Sequence, residues 1–341
     1  MTKGLPSTTR TEGTPAGFGV RRGEQSLSAV AAQRPAHCRR WWTYQRERFP
    51  LLAHGPLIAA FSLSAVSYSF LLRGESGSPS PRVFLAAFIT SFLFFLQLRI
   101  ADEFKDFEED SRFRPYRPVP RGLVTLWELG VIGALGACVQ LGLALWVSPA
   151  MILLLLVVWA YLALMTREFF VRRWIKAHPF TYMWTHMLII PLVDFYATAW
   201  DWLVVGSPAP PGLLWFLTVS FCNGVVLEIG RKIRAPSEEE EGVETYTVLW
   251  GQGNAVLAWL AALLLTAFSA WRAALAIQFA APVVGLLAAL LCLAVIAAWL
   301  FICQPVTRRA RRLEYVSALW TLVMYLSLGV GALTAARLWA S

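Results

Sequence analysis

RIADEFKDFEEDSRFRPYRPVPRGLVT, residues Arg99 to Thr125, begins as an apolar run ends. It sets Asp102, Glu103, Asp106, Glu108, Glu109 and Asp110 ahead of Arg112, Arg114, Arg117 and Arg121. On an α-helix, residues four apart advance by about 400°, so Asp102, Asp106 and Asp110 drift by only about 40° a step and share one face. The stretch is a charged cap on a long apolar segment, and its surroundings decide the architecture.

Those surroundings are apolar. Of 341 residues, 57% are hydrophobic and 15% charged, and the mean hydropathy of +0.55 excludes a soluble protein of this size. The long Leu-, Ala-, Val- and Trp-rich runs lack the alternating segments of about ten residues that a membrane β-barrel needs. The expected fold is therefore all-α, a polytopic membrane helical bundle. Nine spans are expected, roughly Leu51 to Leu72, Val83 to Ile100, Val124 to Val147, Ala150 to Met165, Phe180 to Trp200, Leu213 to Leu227, Ala255 to Trp271, Ala280 to Cys303 and Tyr315 to Ala336. Cys38, Cys138, Cys222, Cys292 and Cys303 stand alone, without metal-ligand or disulfide spacing.

Three regions follow from this pattern. Residues 1–37, rich in Gly, Ser, Thr, Pro and Arg, read as a disordered cytoplasmic tail. Residues 38–50 mix Trp41, Trp42 and Tyr44 with Arg39, Arg40, Arg46 and Arg48, as an interfacial amphipathic segment or the snorkelling flank of the first span would. Residues 51–341 form the nine-span domain. With nine spans, every Lys and Arg except Arg73, Arg82, Arg272 and Arg337 falls on one side. That asymmetry sets the N-terminus in the cytoplasm and the C-terminus outside, in the manner of a bacterial inner membrane protein. The net charge of +9 is thus explained by topology and anionic lipid or substrate, without nucleic acid.

A second charged stretch echoes the first. Cys222 to Gly251, CNGVVLEIGRKIRAPSEEEEGVETYTVLWG, carries Glu228, Arg231 and Lys232 within about one helical turn, then Arg234 and the run Glu238 to Glu241 after Pro236. Carboxylates spaced by four at a helix end suit a hard divalent cation, and Mg²⁺ typically takes one or two of them together with phosphate oxygens. Asp102, Glu103, Asp106, Asp110 and Glu228 are the candidate metal ligands. Arg114, Arg117, Arg121, Arg231, Lys232 and Arg234 supply donors for a diphosphate. The bland reading is a solvated loop whose charges pair with one another, and Glu108 and Glu109 fit it as the solvated face.

The order Asp102, Glu103, Asp106, Asp110, then Arg117-Pro118-Val119-Pro120-Arg121-Gly122, resembles the first signature of UbiA-type membrane prenyltransferases. Gly242, Thr245 and Gly251 are similar to the residues that follow that family's second acidic motif. Asp102 stands where the family has Asn and Glu103 where it has Asp. In the second motif Glu228 matches the first acid, while Arg231 and Lys232 meet the later aspartates. The resemblance implies a bundle around a lipid-open cavity and Mg²⁺-dependent transfer of a prenyl group from an isoprenoid diphosphate to a lipid-soluble, aromatic or other, acceptor. Asp102, Asp106 and Asp110 are then the catalytic carboxylates.

Polar groups inside spans are costly and default to functional readings. Asp194, the fourth catalytic candidate, either touches the acceptor or makes a helix-to-helix hydrogen bond; His186, eight residues earlier, reads as structural. Two rival functions remain. A secondary transporter or permease would set its charges near the midplane, whereas most acids here lie at cytoplasmic ends. A non-catalytic UbiA-like lipid-binding protein would account for Arg231 and Lys232.

Overall fold

The computed structural model describes residues 37–240 and 242–340, which form helices and turns and no strand. The tail expected to be disordered lies outside them, apart from His37, as does Glu241 of the acidic run. The helices are α1 (His37–Arg48), α2 (Leu51–Leu72), α3 (Pro81–Lys105), α4 (Phe107–Phe113), α5 (Leu126–Val147), α6 (Met151–Thr166), α7 (Arg172–Lys176), α8 (Pro179–Met187), α9 (Ile189–Trp202), α10 (Leu213–Arg231), α11 (Tyr246–Trp250), α12 (Gln252–Ala276), α13 (Ala280–Cys303), α14 (Thr307–Leu328) and α15 (Val330–Ala340).

Helix ends follow local chemistry. Ser80 caps α3 by accepting from the Arg82 N–H (3.2 Å), with Pro81 at the first helical position, where its missing N–H costs nothing. Thr125 and Glu128 form a capping box that starts α5 at the end of the first charged stretch. Glu128 also accepts from Arg40 at 2.6 Å, fastening α1 to the bundle.

Seven helices among the described residues are long and apolar enough to cross a membrane: α2, α3, α5, α10, α12, α13 and the stretch Thr307–Leu338 through α14 and α15. The other two expected spans take different forms. Ala150 to Met165 is the 16-residue α6. Phe180 to Trp200 is the pair α8 and α9, meeting at Leu188, where Pro191 cannot donate to the Met187 carbonyl.

The core lies between α2, α3, α9, α10, α12 and α14. Gly230 lets α10 close on α14, since a Cβ there would sit 2.1 Å from the Ser317 hydroxyl. That hydroxyl also accepts from the Trp259 indole of α12 at 2.8 Å. Other polar ties join helices inside the bundle. Gln140 donates to the Thr90 carbonyl (3.1 Å) and accepts from Gln97 (3.1 Å) and Trp159 (3.0 Å). Asp201 takes Ser69 at 2.7 Å and Arg73 at 3.0 and 3.1 Å. With lipid offering no partners, such ties fix helix order.

Candidate active site at the charged end of the bundle

The first charged stretch remains helical past the apolar run but bends at Asp106 (φ −98°, ψ 6°). The spiral persists, because the Asp106 N–H bonds the Asp102 carbonyl (2.9 Å) and the Asp110 N–H bonds the Asp106 carbonyl (2.8 Å). The bend nevertheless puts the three aspartates in different surroundings. Asp102 is partly exposed, with Lys105 at 3.4 Å and Arg99 at 3.8 Å. Asp110 is buried among Arg117 (2.5 Å), Arg114 (3.1 Å) and Arg48 (3.9 Å). Glu103, also buried, is held by Arg48 (2.5 Å) and Arg99 (3.1 Å).

Two of the three first-stretch arginines expected on a diphosphate therefore hold Asp110, and the third, Arg121, pairs with Glu47 of α1 at 3.1 Å. Asp106 is half-buried. Burial raises its carboxyl above the ordinary range; Lys105 opposes the shift and Asp102, Asp110 and Glu109 reinforce it. Glu108 is exposed, as read from sequence, but Glu109 pairs with Lys176 and Arg172 of α7. Burial pushes the Glu109 carboxyl up, and these two cations bring it net below its ordinary value.

Facing Asp102 is a wall built by α8. Lys105 donates to the Tyr182 hydroxyl at 2.9 Å, and the Tyr182 ring stacks on His186 at 3.9 Å. Phe169 closes against His186 and Tyr161, with centroids at 6.1 and 5.7 Å. Its backbone belongs to three consecutive non-glycine residues of left-handed conformation, Glu168, Phe169 and Phe170 (φ 48°, 53° and 61°). Each costs about 1–2 kcal/mol, so the surroundings hold the turn in place. Glu168 is only 1% exposed. Burial raises its carboxyl, Lys176, Arg172 and Lys105 offset part of the shift, and Asp106 adds to it. Sequence reading missed Glu168, a single acid in a short loop; its signal is the backbone turn, which no spacing records.

In the second stretch Glu228 binds Arg231 (2.5 Å) and Lys232 (2.9 Å). Lys232 lies over the Tyr246 ring at 5.4 Å, and its carbonyl accepts from the Tyr246 N–H at 3.1 Å. Burial raises the Tyr246 hydroxyl further above its usual range, with Glu228 and Tyr182 adding and Arg231 opposing. Arg234 flanks the site, its N–H bonded to Thr247 at 3.2 Å. The acidic run is structural where described: Glu239 accepts from Thr245 (2.7 Å) and Thr247 (2.6 Å).

The stretches interlock. Tyr116 donates to Glu240 at 3.1 Å, and Gly242 (φ +74°) lies so close to Phe113 that a Cβ would sit 2.6 Å from its ring. Asp102, Asp106, Lys105 and Tyr182 lie on the first stretch's side of this junction and Glu228, Arg231, Lys232 and Tyr246 on the second's, with Arg231 in electrostatic reach of Asp102 and Tyr246 of Tyr182. Glu103 and Asp110 are turned into the arginine collar behind it. Asp194 lies deeper in the bundle, beside Ser220. Among the described residues no three His, Cys, Asp or Glu side chains converge as a metal cluster. Asp102 and Asp106 still offer the two hard oxygen donors that Mg²⁺ takes beside phosphate.

Long apolar helices capped by two interlocked charged loops define an integral membrane protein with a polar site at one end of a helical bundle. The chain belongs to the UbiA prenyltransferase family, whose family model matches residues 61–322. It is similar in fold to a UbiA homolog from Aeropyrum pernix K1 (TM-score 0.62, 14% identity, covering 82% of this chain and 98% of that one). It is also similar to a digeranylgeranylglyceryl phosphate synthase structure (TM-score 0.58, 16% identity, covering 87% and 99%). No curated protein sequence matches. The family expected from the two charged stretches is the family found, and the chain is in general terms a membrane prenyltransferase.

Proposed function

We propose that the protein transfers a prenyl group from an isoprenoid diphosphate to a lipid-soluble acceptor at the cytoplasmic end of the bundle, with Mg²⁺. The observation that supports this reading is the interlock of the two charged stretches through Tyr116 and Glu240 and through Gly242 and Phe113, with Arg231 within the electrostatic reach of Asp102. Asp102 and Asp106 hold the metal, which when bound supplies charge stabilisation to the departing diphosphate. Arg231 and Lys232 turn from Glu228 to the phosphate oxygens, and Lys105, set by Tyr182, adds a third cation. Arg114, Arg117 and Arg121 act indirectly by fixing the first loop.

Apolar grooves support a place for the tail. One of about 300 Å³ starts at Ala101, next to Asp102, and runs past Gly130, Gly133 and Trp159. Another, of about 360 Å³, lies between Trp41, Phe92 and Leu129. In the reaction the allylic carbon–oxygen bond breaks with its electron pair going to diphosphate. The acceptor's nucleophilic atom bonds that carbon, and its displaced proton leaves to solvent. The aromatic wall of Tyr182, His186 and Phe169 keeps water from the allylic cation.

The test is diphosphate release from geranylgeranyl diphosphate by purified, lipid-reconstituted protein. Asp106→Asn is expected to abolish Mg²⁺-dependent release, and Lys232→Ala to raise the KM for the donor. Full activity in Asp106→Asn sinks the metal assignment, and an unchanged KM removes Lys232 from the phosphate.

A further inference from the structure

The complete polar ties of Gln140 and Asp201 make one buried cluster conspicuous by contrast. Asp194 of α9 is fully buried, and neither of its carboxylate oxygens makes a hydrogen bond of normal geometry; the Ser220 hydroxyl is the polar neighbour that acts on it. No ion pair reaches Asp194 among the described residues. Asn223 of α10, 1% exposed, makes no hydrogen bond of normal geometry through either amide atom; the Tyr325 hydroxyl is the polar neighbour that acts on it. Ser220 and Tyr325 of α14 share one hydrogen bond at 2.9 Å, and Tyr325 lies beside both Asp194 and Asn223. One turn before Tyr325, Thr321 also leaves its hydroxyl unpartnered. Phe61 and Phe216 wall the cluster, at 5.2 and 6.1 Å from the Tyr325 ring.

Leaving such groups empty is costly in hydrocarbon surroundings. Other buried groups, Ser64, Ser91, Gln97 and Trp320 among them, each leave one side-chain atom unpartnered, whereas Asp194 and Asn223 leave all four of theirs. The cluster also lies along α10 from the active site. Asn223 is five residues before Glu228, about 7.5 Å along the helix axis and about 140° round it. That separation is bridged by one small ring or a short linker.

We propose that Asp194, Ser220, Asn223 and Tyr325 seat the polar head of the prenyl acceptor, and that the acceptor is a neutral molecule carrying a hydroxyl or amide group remote from its nucleophilic atom. This inference rests on the prenyl-transfer reading. Asp194 has no cation beside it, so the head that completes its hydrogen bonding is neutral and polar. A phosphate or carboxylate head would bring a negative charge into the buried seat with no cation to offset it. A prenyl tail would leave every polar group of the seat unpaired, so the tail takes the lateral grooves.

The experiment compares full-length wild type, Asp194→Leu and Asp194→Asn in lipid nanodiscs. Donor binding is read with unreactive geranylgeranyl S-thiolodiphosphate, and transfer with geranylgeranyl diphosphate plus a total lipid extract of the source cells. Asp194→Leu is expected to melt at or above the wild-type temperature and to bind the thiolodiphosphate within twofold of wild type. Its prenylated product is expected to fall at least tenfold, and that of Asp194→Asn to fall less. Mass spectrometry of the wild-type product should show a neutral head bearing a hydroxyl or amide. A melting temperature lowered by several degrees in Asp194→Leu and restored by Asn assigns Asp194 to helix packing and overturns the proposal. An anionic head, or undiminished product in Asp194→Leu, overturns it as well. Wild type that binds no thiolodiphosphate instead fails the prenyl-transfer reading itself.

Discussion

Asp110→Asn separates the two roles open to the first charged stretch. Asp110 is 2% exposed at its side chain, and Arg48, Arg114 and Arg117 around it are 10%, 17% and 21% exposed. A unit pair about 4 Å apart at an effective dielectric near 20 is worth about 4 kcal/mol. Removing one partner of a buried pair costs about 3–5 kcal/mol. Asparagine keeps one oxygen acceptor, so the low end, about 3 kcal/mol, is expected, spent on loosening the loop from α1. At 1.36 kcal/mol per decade that is about a hundredfold, appearing as a higher KM for donor and a lower melting temperature, with kcat less affected. In a double-mutant cycle, Asp110→Asn and Arg117→Ala should couple by about 1–3 kcal/mol. If Asp110→Asn leaves thermal stability unchanged, shows no coupling to Arg117 and abolishes Mg²⁺-dependent donor binding, Asp110 is a metal ligand and the collar argument is wrong.

Other outcomes test neighbouring contacts. Arg48→Ala should mimic Glu103→Gln in destabilising the protein, because Arg48 links α1 to both buried acids; unequal melting temperatures would separate them. Gly242→Ala must accept φ +74° and a Cβ 2.6 Å from the Phe113 ring. It should cost about 1–2 kcal/mol from handedness alone, with Phe113→Ala relieving the contact and limited proteolysis reporting whether the loops part. Burial raises the Glu168 carboxyl in the folded state, so the folded chain binds that proton more readily than the unfolded chain and stability rises as pH falls through the raised pKa. Thermal melts from neutral to mildly acidic pH should show this gain in wild type, reduced in Glu168→Gln; identical slopes would refute it.

Hydropathy placed the spans well where charge stays outside them. Leu51–Leu72 and Ala280–Cys303 have the bounds expected from sequence. It placed them short where charge continues a helix, since α3 runs on to Lys105 and α14 begins at Thr307 amid arginines. The candidate site divides the same way. Acids four apart were legible because helical spacing is local. The partner of Glu103 was not, because Arg48 lies 55 positions away and nothing in either segment names the other. The bend at Asp106 was equally hidden, and it gives the three aspartates separate surroundings instead of one face.

The basic residues of the second stretch then acquire a physical reason. On the proposed reading Glu228 shares the site with Asp102 and Asp106, and without Arg231 and Lys232 three acids would meet a diphosphate with Lys105 and Arg99 as the nearby counterweights. With both cations on Glu228, the site opposite Asp102 can exchange an internal ion pair for a phosphate contact. Such an exchange replaces one charge-assisted bond with another, so donor binding should be weakly opposed by desolvation and readily reversed on release. On the proposed reading it also makes Glu228 the residue that sets how tightly diphosphate is held. Glu228→Gln frees both cations, and should tighten diphosphate binding while slowing its release, lowering kcat and KM together. A rise in KM in that variant would show instead that Glu228 itself holds the substrate through a metal.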